Sequence, residues 1–404
     1  MRILSIETSC DETAAAIIEM RDGTPVLLAN VVSSQAKAHA KFGGVVPQLA
    51  ARMHIDNITP VLESTLAESH LAPDGIDLIA VTQGPGLIPA LLIGVSAAKT
   101  LSLIWKKPLL GIHHIEGHIY ANFLEKNTAI SNIKYLISNE NSQISNSKIK
   151  SGFQIPDSRF PLVALVVSGG HTQLVLMRDH FQYEILGETE DDAVGEAFDK
   201  VARMLGLSYP GGPIVAKRAD SFRNNNDQSP KSNNQISEKF SFPRPMINSD
   251  NYNFSFSGLK TSVLYFLKKN ETKIRDETFI NEVCHEFQEA VVDVLVEKSR
   301  KAIEEFRPKA FVIAGGVSAN TRLRDRLQNT IDEINRGETA ADAAVSPLFV
   351  RFTMPEFAYS LDNAAMIGAA AGFRYDRMTE DQKNSLNENW RTLEASASLT
   401  LSNL

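Results

Sequence analysis

Two cysteines among 404 residues, Cys10 and Cys284, lie far apart, which argues against a disulfide framework and suits a reducing cytosol. Positive charge is not in excess either. With 41 Lys and Arg against 48 Asp and Glu the formal net charge is −7, so general affinity for polyanions is not signalled, and nucleic acid is neither indicated nor excluded. The first ten residues, MRILSIETSC, lack a basic region followed by an apolar core and read at once as a strand, so no signal peptide is expected. No long apolar run is free of interruption. The greasiest, GLIPALLIGVSAAKTLSLIW, carries Pro89, Ser96, Lys99, Thr100 and Ser102 and is expected as a buried helix, not a membrane span. What remains, 43% apolar and 22% charged, is the composition of an ordinary soluble globular protein. The length exceeds what one core usually supports, so two lobes of roughly 150 residues each are expected.

Three segments read as inserted surface loops: 127 to 158, rich in Asn, Ser and Ile; 222 to 239, FRNNNDQSPKSNNQISEK; and 334 to 347, INRGETAADAAVSP. The tail, 378 to 404, has weak periodicity and is expected to fray beyond one helix. No chemistry is placed in these four segments. The rest of the chain shows one plan twice. RILSIETSCDETAAAIIEM runs strand, polar turn, strand, and PLVALVVSGGHTQLVLMRD repeats it around a glycine turn. DLIAVTQGPGLIPALLIGVSAAKTL and AFVIAGGVSANTRLRDRLQ both run from an apolar strand through glycines into a helix, the layout that aims backbone N–H groups at an anion. Further helices are expected at 48–69, 191–206, 257–269, 277–306 and 355–375. The pattern is a duplicated two-lobed α/β fold whose halves enclose a cleft. Residues 1–122 form the first lobe, with helices at about 363–377 packing back on it, and 159–362 the second.

Several constellations carry chemistry. In VVSGGHTQL, Ser168, Gly169 and Gly170 offer a hydroxyl and unhindered N–H groups to a phosphate oxygen, although a hairpin turn needs the same residues. In IAGGVSAN, Asn320 opens a helix, as a cap or as a ligand contact. Glu7, Asp11 and Glu12 cluster in IETSCDET, either as solvated turn residues or as acids that position a metal or water. Asp191 and Asp192 begin a helix where its dipole favours them and read as structural, whereas Asp199 lies deep in that helix, either as an acceptor for ribose hydroxyls or as an ordinary exposed helical Asp.

The stretch GIHHIEGHIYA, residues 111 to 121, holds three histidines and a glutamate. On a helix His114 and His118 lie about 40° apart and can share an ion; His113 is about 140° from His118, and Glu116 faces roughly 200° away from His114. The protease pattern H-E-x-x-H is absent, because no Glu directly follows His114. A pair alone is equally ordinary polar packing. Asp362, before an Ala-rich helix in YSLDNAAMIGAA, is the candidate third ligand or simply an N-cap. Two His and one carboxylate suit zinc or ferrous iron with positions left open for substrate.

SIETSCDET, KFGGVVPQLAAR, TQGPGL, HHIEGHIYA, VSGGHTQL, GEAFDKVARMLGL, YPGGP, FSFSGLKT, GGVSAN and DNAAMI, in order across about residues 1 to 375, closely resemble the TsaD family of tRNA adenosine threonylcarbamoyltransferases. The resemblance implies a duplicated fold like that of actin, hexokinase and Hsp70 (ribonuclease-H-like), with the active site in the interlobe cleft. It implies acyl transfer from threonylcarbamoyl-adenylate to the exocyclic amine of the tRNA adenosine 3′-adjacent to the anticodon, in tRNAs reading codons that begin with adenine. By resemblance His114, His118 and Asp362 hold one divalent ion, Fe²⁺ or Zn²⁺; Val166, Val167, Ser168, Gly169 and Gly170 form the substrate-binding turn; and Asp199, Gly212 and Asn320 contact the nucleotide. Some members carry an acid four residues after the second glycine of PGGP; here it is Ala216, and no contact is assigned to it. Asp11 and Glu12 are the candidates for the base that takes the amine proton. A complex with an inactive TsaB-like paralogue and a small TsaE-like ATPase is implied, in the cytoplasm and without a membrane. The rivals are an ATP-hydrolysing kinase or chaperone on the same fold, a zinc peptidase, and a catalytically silent scaffold.

Overall fold

A computed structural model describes residues 1–125, 134–135, 159–228, 240–337 and 348–401. Most of the three inserted segments and the last three residues lie outside them. Elements are numbered along the whole chain. Contacts divide it into two units, Met1–Arg159 with His180–Tyr183 and Pro355–Leu404, and Phe160–Asp179 with Glu184–Met354.

The first unit is built on a six-stranded sheet of β1 (Arg2–Glu7), β2 (Glu12–Arg21), β3 (Thr24–Ser34), β4 (Leu78–Gly84), β5 (Leu109–His113) and β6 (Lys134–Tyr135), in the order β5-β4-β1-β2-β3-β6. β1 pairs antiparallel with β2 and parallel with β4, and β4 parallel with β5, so Glu7, Gly84 and His113 end neighbouring strands at one edge of the sheet. Near-continuous apolar runs such as LIAV in β4 are what a strand covered on both faces requires. On one face lie α2 (Pro47–Ser69) and α3 (Ile88–Trp105), which follow the short α1 (Ala36–Ala40); Ile58, Val95 and Ala98 pack there on Ile6, Ile79 and Val81. By length and composition α3 could cross a membrane, and it is not the wholly buried helix expected: Leu92, Leu103 and Ile104 are exposed while Ala90, Leu91 and Val95 are buried. Its inner face is pinned where the Thr8 hydroxyl donates to the Ala90 carbonyl, 3.0 Å away.

The other face carries α4 (His114–Tyr120) and α11 (Ala364–Asp376). The expected helix at 355–375 is interrupted. A short α10 (Phe357–Ser360) precedes α11, and Asn363 caps α11 by accepting from the Met366 N–H at 3.1 Å. The border drawn at 362 therefore moves to 354/355, because the chain from Pro355 leads into a helix seated on the first sheet. The tail is also corrected. It forms α12 (Glu380–Ser385), with a Thr379–Gln382 capping box, and α13 (Asn389–Thr392), and buries Leu386, Leu393 and Leu401. The Ser396 N–H donates to the Gln83 carbonyl at 2.8 Å and the Asn389 side chain to the Leu109 carbonyl at 2.9 Å, so the tail binds by backbone polar groups and isolated leucines rather than by a helical stripe.

The second unit repeats the plan. β7 (Leu162–Val167) pairs antiparallel with β8 (Thr172–Asp179) and parallel with β10 (Ala310–Ala314), which pairs parallel with β11 (Arg351–Thr353). With β9 (Gln182–Glu188) the order is β11-β10-β7-β8-β9, which matches β5-β4-β1-β2-β3 strand for strand. Its helices are α5 (Val194–Met204), α6 (Gly211–Gln228), α7 (Ser257–Lys269), α8 (Glu277–Phe306) and α9 (Thr321–Arg336). Phe198, Phe287, Val291, Leu295 and Phe311 are among the residues that fill its core. The described parts of two inserted segments are helical: 222–228 end α6, and 334–336 end α9. At the start of α5, Asp191 accepts from the Phe256 N–H at 2.8 Å, and Asp192 pairs with Lys200 at 2.8 Å and Lys260 at 2.5 Å.

Two outcomes follow from this packing. A Cβ at Gly368 of α11 would lie 2.6 Å from Ile18 Cγ1 and 2.9 Å from Ser5 Oγ. Gly368→Ala therefore sets a helix-propensity gain of about 1 kcal/mol against an overpacking cost of about 1–3 kcal/mol, and urea unfolding is expected to show net destabilisation. Burial raises the Asp192 carboxyl pKa, but hydrogen bonds from Lys200 and Lys260 outweigh it and leave the pKa below the ordinary value. The stabilisation is present above the unfolded-state pKa of about 3.9 and is lost as pH falls through and below it. Asp192→Asn should flatten that acid limb in denaturation curves taken at several pH values.

Candidate metal centre and glycine turns

At the end of β5 the chain turns into α4, with His113 as the cap. Its Nδ1 accepts from the Ile115 N–H at 3.1 Å and its Nε2 donates to the Leu399 carbonyl at 2.9 Å. The helix starts one residue later, and the His114 and His118 rings stand one turn apart, with centroids 4.6 Å apart and planes at 79°. Asp362 Oδ1 lies 3.1 Å from His118 Nε2 and 3.6 Å from His114 Nε2. Because Asn363 caps α11, the Asp362 carboxylate is directed to the histidine pair instead. One ligand atom from each of the three residues falls within 4.8 Å of the others.

The donor set fits a small divalent ion. His118 is fully buried, and neither ring nitrogen has a partner in hydrogen-bond geometry; the 3.1 Å approach of Asp362 lacks the required alignment. Leaving such a group unsatisfied in a core costs about 1–3 kcal/mol, which an ion at Nε2 would relieve. His114 Nδ1 lies 3.2 Å from Glu7 Oε2 and 3.2 Å from Ser9 Oγ, so Nδ1 keeps a proton toward Glu7 and Nε2 is the nitrogen turned to Asp362. Burial lowers the His114 pKa, but the charges of Asp362 and Glu7 raise it further, to about 9; burial lowers that of His118. Glu7, a solvated turn residue on one reading of the sequence, is fully buried. It also accepts from Thr82 Oγ1 at 2.5 Å and from the Ser9 N–H.

Next to it runs the acid turn. Burial raises the Asp11 carboxyl pKa, and burial with the charges of Asp11 and Asp362 pushes Glu12 well above the carboxylate range. Ser34 Oγ donates to Glu12 Oε1 at 3.1 Å. Burial and Asp11 likewise keep Cys10 a thiol. His54 holds this turn from below: Nε2 donates to the Cys10 carbonyl at 3.0 Å, while Nδ1 accepts from Thr13 Oγ1 at 2.7 Å. No local pattern marked Glu7 or His54 for these roles, since their partners lie up to 107 residues away. Glu116 is engaged by Tyr183 at 2.7 Å and Arg374 at 2.5 Å, so it is not the water-activating glutamate a zinc peptidase requires.

In the second unit Val166 and Val167 end β7, and Ser168 and His171 close the turn, the Ser168 N–H donating to the His171 carbonyl at 2.8 Å. Gly169 and Gly170 are exposed, and a Cβ at either would meet nothing within 4 Å. The Gly195 N–H donates to the Ser168 carbonyl at 3.1 Å, and Gly315, at φ +86°, lies where a Cβ would be 2.5 Å from the Val167 carbonyl oxygen. The two glycine segments thus flank the turn at backbone distance. Asn320 caps α9 through the Leu323 N–H at 3.0 Å and also donates to Gln288 Oε1 at 2.8 Å. Asp199 Oδ1 accepts from the Gly211 N–H at 2.7 Å, which ties it to the start of α6 beside Gly212.

A family model described as TsaD, tRNA N6-adenosine threonylcarbamoyltransferase, matches residues 26–152 and 145–369. Proteins of that name from Thermomicrobium roseum and Bacillus licheniformis are 42% identical over 395 residues (93% of this chain and 93% of that protein) and 43% identical over 376 residues (93% and 92%). A third, from Thermosipho africanus, is 42% identical over 374 residues, covering 93% of this chain and 94% of that one. One family model spanning both units, and relatives of this similarity over almost the whole chain, lead to one assignment: the chain belongs to the TsaD family.

Proposed function

We propose that this protein transfers the threonylcarbamoyl group from threonylcarbamoyl-adenylate to the exocyclic amine of the tRNA adenosine 3′-adjacent to the anticodon, in tRNAs that read codons beginning with adenine. The observation that carries the reading is the His114–His118–Asp362 cluster, three ligand atoms within 4.8 Å, in a chain of the family named for this reaction. Fe²⁺ or Zn²⁺ held by these residues would supply a Lewis acid that polarises the donor and offsets its negative charge. Glu7 keeps the proton at His114 Nδ1, which leaves Nε2 as the ligand atom.

In the transfer the amine nitrogen bonds to the carbamoyl carbon, the bond from that carbon to the phosphate oxygen breaks, and adenylate leaves. The amine proton passes to Asp11 or Glu12, whose raised pKa values make them stronger bases than ordinary carboxylates. The turn from Val166 to Gly170 presents bare backbone to the donor, and Asp199, Gly212 and Asn320 contact its nucleotide part. Most of the rate gain then comes from positioning and electrostatics. The family resemblance supports a cytoplasmic assembly with a TsaB-like paralogue and a TsaE-like ATPase.

The full chain, with such partners, threonylcarbamoyl-adenylate and an unmodified tRNA of this class, should yield the modified adenosine. His118→Ala should reduce it by about 10²-fold or more. No product from the wild type, or undiminished product from His118→Ala, overturns the proposal. Because the base must be deprotonated, the rate should rise with pH through a midpoint above the usual carboxylate range. Glu12→Gln, or Asp11→Asn if Asp11 is the base, should lower kcat by about 10²–10⁴-fold and remove that limb of the pH–rate profile.

A further inference from the structure

His113 and Glu116, the polar residues of the 111–121 stretch that lie outside the ligand set, are both tied to distant parts of the chain. Glu116 is fully buried between the two ligand histidines in sequence, and Tyr183 and Arg374 both donate to its Oε1. Arg374 stands on α11, the helix that begins just after Asp362, and its guanidinium lies 4.7 Å from the centroid of the Phe181 ring. Between these two ties α4 and α11 touch at Gly117, where a Cβ would be 2.7 Å from Ile367 Cδ1. On the other side His113 donates to the carbonyl of Leu399, in a tail itself held by the Ser396 N–H on Gln83 and by buried Leu393. A helix of seven residues is too short to hold a fixed orientation on its own, so these ties set it.

Resting on the metal reading of His114, His118 and Asp362, we infer that Glu116 with Arg374 and Tyr183, and His113 with the C-terminal tail, are positioning residues of the metal centre. They act through α4. The Glu116–Arg374 pair braces the helix carrying two ligands against the helix that delivers the third. The His113–Leu399 bond holds the first turn, where His114 stands. The C-terminal segment, outside the region matched by the family model, thereby becomes part of the support of the site.

The test uses the full-length protein loaded with Co²⁺ as the probe, read by its visible absorption spectrum and by the rate of metal transfer to a chelator at a temperature where each variant is folded. Wild type should bind one Co²⁺ and His114→Ala none; failure here overturns the metal reading and this inference with it. Given that binding, Glu116→Gln and Ser396→Pro, the latter removing the N–H that holds the tail to Gln83, should each speed release about tenfold or more and alter the spectrum. Tyr183→Phe should give a smaller change in the same direction, and Arg374→Lys, which keeps the charge, should retain more metal than Arg374→Met. Spectra and release rates like those of wild type in both Glu116→Gln and Ser396→Pro, even with lowered thermal stability, overturn the inference.

Discussion

The first unit depends on how closely α11 can lie on its sheet. The run AAMIGAAAG has little side-chain volume, and at Gly368 and Gly372 a Cβ would come within 2.6 Å of Ile18 and 2.3 Å of Met20. The Ser5 hydroxyl donates to the Ala364 carbonyl at 2.7 Å, which fixes the start of the helix over β1. Close packing of this kind leaves little freedom to slide. It places Asp362, just ahead of the helix cap, at the His114–His118 pair and Arg374, in the last turn, at Glu116.

Around that pair the electrostatics are those of a cation site. Glu7, Asp11, Glu12 and Asp362 are close enough to influence one another or the histidines; Glu7 and Asp11 are buried and Glu12 and Asp362 half-buried. So many carboxylates in a place of low dielectric require compensation, by protonation or by positive charge. His114, raised to about 9, carries part of it in the protein alone. The glycine turns of the second unit show the opposite character: exposed backbone at Gly169 and Gly170, with the packed glycines Gly195 and Gly315 beneath. The first unit thus gathers carboxylates around a histidine pair, whereas the second presents bare backbone N–H groups at a turn.

Much of this was legible because it is local. Strand, turn and strand recur at 2–21 and 162–179, and the same strand order in both sheets follows from that repeat. The i,i+4 spacing of His114 and His118, and the turning of Glu116 away from His114, needed only the pitch of a helix. Other features were not local. The tail shows no period because Leu386, Leu393 and Leu401 are separate anchors in and beside short pieces of helix. The composition of α3 points to burial because it does not reveal that only one face meets the sheet.

By itself the sequence determined the duplicated α/β plan, the helical pairing of His114 with His118 and the family to which the chain belongs. These are properties of period, spacing and motif, and they survive without coordinates. Only the tertiary structure decided that Asp362 faces the histidines while Asn363 takes the cap, that Glu7 lies against His114, and that Arg374 and Leu399 reach Glu116 and His113 of the α4 segment. Each of those contacts joins residues more than 100 positions apart or turns on which of two adjacent polar side chains finds the free N–H. Both questions are settled by packing, which places α11 and the tail, and not by any preference of the residues themselves.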